Sequence, residues 1–133
     1  MESKETAPGK KKHVLLVDDN LELAQTYKHL LESFGYDVST THNGVLALKH
    51  ILHKEVDAVV CDLKMPQLEG DMFYVTADRV RPDLHQRFIF ITGLADDPKF
   101  QAFASKVASP VLRKPVPIEK LVETLEKVLA QPS

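Results

Sequence analysis

Five polar residues stand at the ends of short apolar segments, and their types could together handle a phosphoryl group. They are Asp18, Asp19, Asp62, Thr92 and Lys114. Crowded carboxylates repel one another, and a hard divalent cation such as Mg²⁺ relieves that repulsion through oxygen ligands. A hydroxyl and an ammonium could then stabilise phosphoryl oxygens during transfer, with a carboxylate as nucleophile. Because one aspartate at a strand end is equally an ordinary turn or capping residue, the hypothesis requires all five to meet at one place.

The segments that carry these residues indicate strands buried in a parallel sheet, because they are short, continuous and apolar. Each is followed by a stretch with helical periodicity or helix signals. The predicted strands cover residues 13–19, 36–40, 57–62, 88–92 and 111–113. The predicted helices begin at Asn20, at Asn43-Gly44, near Asp71, at Asp97-Pro98 and near Ile118.

Apolar spacing along the helices predicts which side chains face the core. In the first helix this set includes Leu30 and Phe34, before Gly35 supplies a stop signal, and in the second it includes Leu52. The last helix has a longer apolar stripe that ends near Ala130.

Alternation of strands and helices requires right-handed crossovers, which place helices on both faces of a parallel sheet. We therefore expect a doubly wound α/β fold with five strands in the order 2-1-3-4-5, which is flavodoxin-like. In such sheets the ligand lies beyond the carboxyl ends of strands 1 and 3. Asp18, Asp19 and Asp62 come at those two ends, so the fold predicts that they meet.

Composition favours one domain of ordinary globular character. The chain has 133 residues, of which 44% are hydrophobic and 27% charged, and its net charge is −2. We expect residues 1–12 to be a mobile tail and residues 13–131 to form the domain, with no separate DNA-reading module. The near-neutral charge argues against nucleic-acid or membrane binding, and we find no apolar run of transmembrane length. Cys61 is the only cysteine, so we expect no internal disulfide and a cytoplasmic location.

Two other groups could carry chemistry. His50 and His53 lie three residues apart on the second helix and could chelate a transition metal, but a third ligand is not evident, so we interpret them as solvated. Cys61 precedes Asp62 on the same strand, and alternation along the strand points it to the opposite side, as a buried, inert thiol.

The residues at the strand ends also match a known family, because the sequence resembles the receiver domain of two-component response regulators from His13 to Ala130. The matching motifs are Asp18-Asp19 after LLV, the stretch DLKMP from Asp62 followed by Gly70, Thr92-Gly93 after FIFI, and Lys114-Pro115 before an amphipathic helix. Together and in this order they are specific, although each alone is weak.

The resemblance implies that Asp62 accepts a phosphoryl group from a histidine kinase or a histidine phosphotransfer protein. It further implies that Asp19 and Asp62 bind Mg²⁺ directly, that Asp18 binds it through water, and that the backbone carbonyl of Lys64 completes the protein ligands. The downstream effector is not encoded in any motif, and we expect a monomer or a weak, phosphorylation-dependent dimer.

The resemblance gives Thr92 and Lys114 the roles of binding the phosphoryl oxygens, and it predicts a cis peptide bond between Lys114 and Pro115. Many receivers carry Tyr or Phe three residues before this lysine, where the present chain has Val111. The aromatic half of the usual switch is therefore absent, and the sequence around Val111 looks more like receivers of hybrid sensor kinases.

Three functions stay open at this point. The first is a phosphoryl-accepting signalling domain, which assists its own phosphorylation and dephosphorylation without being a separate enzyme. The second is an interaction module that keeps the fold but acts without phosphorylation. The third is a phosphatase or flavin-binding protein of the same fold class. A haloacid-dehalogenase-type phosphatase would need an acid where Lys64 stands, and a glycine-rich phosphate loop is missing after the first strand.

Overall fold

The computed structural model describes residues 11–64, 70–93 and 97–131. Five strands form one sheet, and each overlaps a strand predicted from the sequence. They are β1 (His13–Val17), β2 (Asp37–Thr41), β3 (Ala58–Asp62), β4 (Phe88–Thr92) and β5 (Val111–Arg113). The helices that connect and follow them are α1 (Leu21–Ser33), α2 (Gly44–His53), α3 (Gly70–Val80), α4 (Pro98–Lys106) and α5 (Ile118–Leu129), with a short 3-10 helix at Pro82–Leu84.

The sheet is parallel, and its strand order is β2-β1-β3-β4-β5. This order confirms the doubly wound fold predicted from the alternation of strands and helices. The core consists of two apolar clusters on opposite sides of the sheet. Residues of α2 and α3 contribute to one cluster, while residues of α1 and α5 contribute to the other.

Local signals in the sequence set the helix boundaries. The side chain of Asn20 accepts a hydrogen bond from the backbone N–H of Leu23 at the start of α1, and Asn43 accepts one from Leu46 at the start of α2. After α1 the chain turns at Gly35, whose φ of 96° is unfavourable for a residue with a side chain. The asparagine caps and the glycine stop are therefore confirmed.

The prediction of core-facing residues is wrong at three positions. Leu30, Phe34 and Leu52 are 38%, 51% and 50% exposed. Each lies at the edge of an apolar stripe that is wider than the strip of helix surface touching the sheet, and periodicity alone does not give the width of that strip. Within the described ranges, the helices are all too short or too polar to cross a membrane.

The predicted tail falls largely outside the described residues, which begin at Lys11. The backbone carbonyl of Lys12 already accepts a hydrogen bond from the N–H of Asp37, 3.0 Å away. Pairing between β1 and β2 therefore extends to the residue before His13.

Candidate functional site

Three aspartates converge at the carboxyl edge of the sheet. One carboxylate oxygen from each of Asp18, Asp19 and Asp62 lies within 4.8 Å of the other two. Asp18 and Asp62 are buried, whereas Asp19 is exposed. The cluster is thus anchored in the protein on one side and open to solvent on the other, as a site for an ion and an incoming ligand requires.

The parallel register explains why these residues meet. Val17 of β1 pairs with Cys61 of β3, so the residues that follow them, Asp18 and Asp62, are neighbours across the two strands. Asp62 in turn pairs with Ile91 of β4, one residue before Thr92. Three strands therefore end at nearly the same level of the sheet, and each delivers one polar side chain there.

Backbone N–H groups orient the two buried carboxylates. Asp18 Oδ1 accepts a hydrogen bond from the N–H of Asn20 at 2.9 Å, and Asp62 Oδ1 accepts one from the N–H of Lys64 at 3.1 Å. Each aspartate thus bonds to the backbone two residues further on, a turn typical of this residue type. The turn uses one oxygen of each carboxylate and directs the other toward the common site.

Lys114 supplies the positive charge of the site. Its Nζ lies 2.8 Å from Asp62 Oδ2 and 3.4 Å from Asp18 Oδ2. Neighbouring strands are about 4.8 Å apart, so the ammonium reaches from the end of β5 across β4 to carboxylates on β3 and β1. The long, flexible lysine stem makes this reach possible.

The pKa values of the pair show how burial and charge compete. Burial raises the pKa of Asp62 above its ordinary value, against the hydrogen bonds from Lys114 and Lys64, and the charge of Asp18 adds to the rise. Burial alone would lower the pKa of Lys114, but the hydrogen bond and charge of Asp62, helped by Asp18, raise it. With two carboxylates beside it, Lys114 is therefore held in its charged form.

Thr92 completes the row of strand ends. It is fully buried as the last residue of β4, and its backbone carbonyl accepts a hydrogen bond from the N–H of Lys114 at 2.9 Å. The same register that aligns β4 with β5 therefore also places Thr92 between the strands that carry Asp62 and Lys114. All five residues singled out in the sequence lie at this one edge.

One feature of the site was not apparent in the sequence. Tyr27 is a buried residue of α1, and its hydroxyl donates to the carbonyl of Val116 at 2.8 Å and accepts from the N–H of the same residue at 3.3 Å. It therefore holds the segment that follows Lys114 and Pro115, whose connecting peptide bond is cis as the resemblance predicted. A tyrosine 89 residues away in sequence gives no local signal of this contact.

The alternative groups lie elsewhere. The thiol of Cys61 is buried in the core cluster that includes α2 and α3, as alternation predicted. His53 is exposed, but the interpretation of His50 as solvated is wrong. Its ring stacks on that of His13, with centroids 5.9 Å apart, and its Nε2 is buried without a hydrogen-bond partner among the described residues. The periodicity of α2 did not reveal a neighbour on β1.

Comparison with known proteins finds relatives that match most of the chain. A family model of the response regulator receiver domain matches residues 14–126. The chain is 32% identical over 118 residues to the sensor kinase CckA of Brucella abortus (strain 2308), and the match covers 87% of this chain and 12% of CckA. Its relatives also include transcriptional regulators such as GlrR of Escherichia coli (strain K12), 30% identical over 90% of this chain and 26% of that protein.

Solved structures show the same fold. The CheY-like receiver domain protein of Methanospirillum hungatei has a TM-score of 0.82 at 26% identity, over 90% of this chain and 94% of that one. A response regulator of Burkholderia pseudomallei, solved with a phosphorylated aspartic acid, a calcium ion and citrate, has a TM-score of 0.77 at 27% identity, over 90% of this chain and 69% of that one.

A parallel sheet in this order, with acids from two adjacent strands and a lysine from the fifth at its carboxyl edge, defines a receiver-type signalling domain. The chain belongs to the response regulator receiver domain family. It spans only 12% of CckA and 26% of GlrR, in which most of the protein lies outside the matched region.

Proposed function

We propose that Asp62 accepts a phosphoryl group and that its phosphorylation changes the contacts of this domain with other proteins. The observation that carries the proposal is the placement of Asp62 between Lys114, 2.8 Å away, and the carboxylates of Asp18 and Asp19. This arrangement combines a nucleophile with groups of both charges, which phosphoryl transfer needs more than elaborate covalent chemistry. The phosphorylated aspartic acid of the Burkholderia pseudomallei protein supports it.

In the proposed reaction a carboxylate oxygen of Asp62 attacks the phosphorus of the donor. A P–O bond to Asp62 forms while the bond from phosphorus to the leaving group breaks, and the product is an acyl phosphate. The Lys64 N–H holds Oδ1 and the Lys114 ammonium holds Oδ2, so the carboxylate is fixed for in-line attack. As charge moves onto the phosphoryl group, Lys114 and the Thr92 hydroxyl would bind its oxygens.

The aspartate cluster fits Mg²⁺, because it offers carboxylate oxygens from three residues within a few ångströms and one side open to water. Asp19 and Asp62 would hold the ion directly, Asp18 through water, and the Lys64 carbonyl would complete the protein ligands. When bound, the ion would neutralise negative charge on the phosphoryl oxygens. The total negative charge of the two carboxylates beside Lys114 is larger than the single positive charge of its ammonium. The remaining negative charge favours binding of a second cation at this place.

The donor is expected to be a histidine kinase or a histidine phosphotransfer protein, from which the phosphoryl group passes through the open side of the site. The sensor kinase CckA, which contains a region similar to this chain, supports that class of donor. Four further properties stay predictions. The domain assists its own phosphorylation and dephosphorylation, and it is located in the cytoplasm. It does not bind nucleic acid directly, and it is a monomer or a weak, phosphorylation-dependent dimer.

Borohydride trapping tests the assignment of Asp62. The chain is incubated with acetyl phosphate and Mg²⁺ and then treated with sodium borohydride, which reduces an aspartyl phosphate to homoserine. Peptide mass spectrometry should find homoserine at position 62. Reduction at another aspartate, or none while the protein holds a base-labile phosphate, would contradict the proposal.

A further inference from the structure

Exposed apolar side chains concentrate on two neighbouring helices away from the aspartate cluster. The described residues include eight large apolar side chains that are well exposed, and five of them belong to α2 and α3. Scattered surface apolar residues are ordinary, whereas a contiguous group marks an interaction surface. The five are Val45 and Leu52 on α2, and Met72, Val75 and Val80 on α3.

Helical spacing arranges these residues in two stripes. On α2, Val45, Lys49 and Leu52 follow an i, i+4, i+7 pattern and are all exposed, while Ala47 and Ile51 on the other side are buried. On α3 the exposed stripe is Met72, Val75 and Arg79, in an i, i+3, i+7 pattern. Each stripe thus contains two apolar side chains and one cation. We call these six residues the α2–α3 face.

The two helices that carry these stripes lie side by side. Both helices pack into the same core cluster, through Ala47 and Ile51 of α2 and through Phe73 and Ala77 of α3. The guanidinium of Arg81, just after α3, donates to the backbone carbonyl of Ile51 at 2.8 Å and ties the carboxyl ends of the helices together. Packed helices lie about 8–10 Å apart, and seven residues of helix span about 10.5 Å. The face therefore matches two turns of one further helix.

The two charged residues of the α2–α3 face itself, Lys49 and Arg79, are both cations, and Glu55 and Asp78 lie beside the face. Lys49, Lys54 and Arg79 are exposed and pair with no acid among the described residues. Asp78, the neighbour of Arg79, instead lies 2.9 Å from the Nδ1 of His85. A second copy docked through the same face would place Lys49 and Arg79 opposite like charges, which is unfavourable. The chemistry complementary to this surface is apolar and acidic.

We propose that the α2–α3 face binds an acidic amphipathic helix of a partner protein. The partner would place apolar residues at i, i+4 and i+7 against Val45, Leu52, Met72 and Val75. Carboxylates flanking that stripe would meet Lys49 and Arg79, as in other complexes in which a helix docks by its apolar face. This binding surface is separate from the aspartate cluster, and it does not depend on phosphorylation of Asp62.

The test uses a defined peptide and the full chain labelled with ¹⁵N. The probe is a capped helix of about 18 residues, long enough to have helical content in water, with leucines at i, i+4, i+7 and i+11 and glutamates flanking them. One control peptide has the same composition with the leucine stripe shuffled, and another has lysine in place of glutamate. The acidic amphipathic peptide should shift amide signals of α2 and α3 saturably, and the controls should bind at least tenfold more weakly.

Matched variants separate the face from general electrostatics. The pair Lys49→Glu and Arg79→Glu should weaken binding at least tenfold, and so should Leu52→Glu. The pair Lys120→Glu and Lys127→Glu on α5 changes the net charge equally but should alter the affinity less than twofold, as should Leu30→Glu on α1. Circular dichroism and acetyl phosphate labelling check that each variant is folded.

Several results would overturn the proposal. They are the lack of any saturable shift up to millimolar peptide, strongest shifts outside α2 and α3, and equal binding of either control peptide or of the Lys49→Glu, Arg79→Glu variant. Analytical ultracentrifugation of the unmodified chain provides one further test, because it measures self-association. Self-association that Leu52→Glu abolishes would assign the face to a second copy instead.

Discussion

Lys114 and the two buried aspartates form a site with an excess of negative charge. The ammonium of Lys114 lies within 3.4 Å of carboxylate oxygens of both Asp18 and Asp62, and Asp19 adds a third carboxylate from the exposed side. A compact point charge on a flexible stem suits this position, because it can follow a carboxylate oxygen and, after transfer, a phosphoryl oxygen. The planar fork of an arginine would bind one carboxylate more rigidly and fill more of the space for a cation.

Tyr27 holds the segment after Lys114, so we expect Tyr27→Phe to destabilise the domain. The substitution would leave the carbonyl and N–H of buried Val116 without the hydroxyl that they contact. The expected loss is about 1–3 kcal/mol in the free energy of unfolding, measured by urea denaturation.

Tyr36→Phe provides a matched control on the same side of the sheet. Tyr36 is also buried, but its hydroxyl makes no hydrogen bond to another described residue, so removal should have a smaller effect. Equal losses in the two variants would show that the contact with Val116 does not stabilise the segment.

At the scale of elements, α2 meets β1 through the stacked rings of His50 and His13, and we expect the burial of His50 at this contact to make stability depend on pH. Burial, the charge of His13 and the charge of Lys54 lower the pKa of His50 below its ordinary value of 6.5. As the pH falls through 6.5, the unfolded chain therefore takes up a proton at His50 more readily than the folded one, and the stability present at higher pH decreases.

We expect His50→Gln to remove this part of the pH dependence. Urea unfolding between pH 8 and pH 5 should show a smaller decrease in unfolding free energy for His50→Gln than for the unmodified chain. His53→Gln, on the exposed side of the same helix, should behave like the unmodified chain. A decrease of equal size in His50→Gln would mean that other groups cause the pH dependence.

The response to phosphorylation should stay near the end of β4, because β5 lacks an aromatic ring that could turn inward. Val111 is half-buried opposite Phe90 and packs against a core cluster, and its branched side chain is stiff at χ1. A phosphoryl oxygen on Asp62 should draw the Thr92 hydroxyl toward it with a charge-assisted hydrogen bond. The rearrangement should then involve Gly93, Asp97 and the start of α4.

Backbone chemical shifts with a beryllofluoride mimic and Mg²⁺ measure this response residue by residue. Beyond the site itself, the largest changes should fall between Gly93 and the first turn of α4, and Thr92→Ala should reduce them. Largest changes on β5 and α5 that persist in Thr92→Ala would contradict this account of the switch.

The strands could be predicted from local signals, and the order of the sheet could be predicted from the alternation of strands and helices. A continuous apolar run such as FIFIT at β4 is sufficient to identify a buried strand, and crossover handedness then limits the topology. The exposure of Phe34 and Leu52 could not be predicted, because it depends on how far each helix overlaps the sheet. The stacking of His50 on His13 depends on the same packing between distant segments.

For the whole molecule, the candidate site was predictable as a set of residues but not as a set of contacts. Asp18, Asp62, Thr92 and Lys114 each end or follow a strand, so the topology alone brings them to one edge. The reach of Lys114 to Asp18, 96 residues away, depends on side-chain geometry that no pattern in the sequence specifies. The α2–α3 face could not be predicted either, because the type of an apolar residue does not show whether its side chain is buried or exposed.

Intact-mass spectrometry tests whether Asp62 accepts a phosphoryl group in the presence of Mg²⁺. The chain and its Asp62→Asn variant are incubated with acetyl phosphate, each with Mg²⁺ and with EDTA. We expect the added mass of one phosphoryl group in the unmodified chain with Mg²⁺ only, and no added mass in Asp62→Asn, because an amide is a poor nucleophile. An unmodified chain that gains no mass with Mg²⁺, or an Asp62→Asn variant that gains one phosphoryl group, would contradict it.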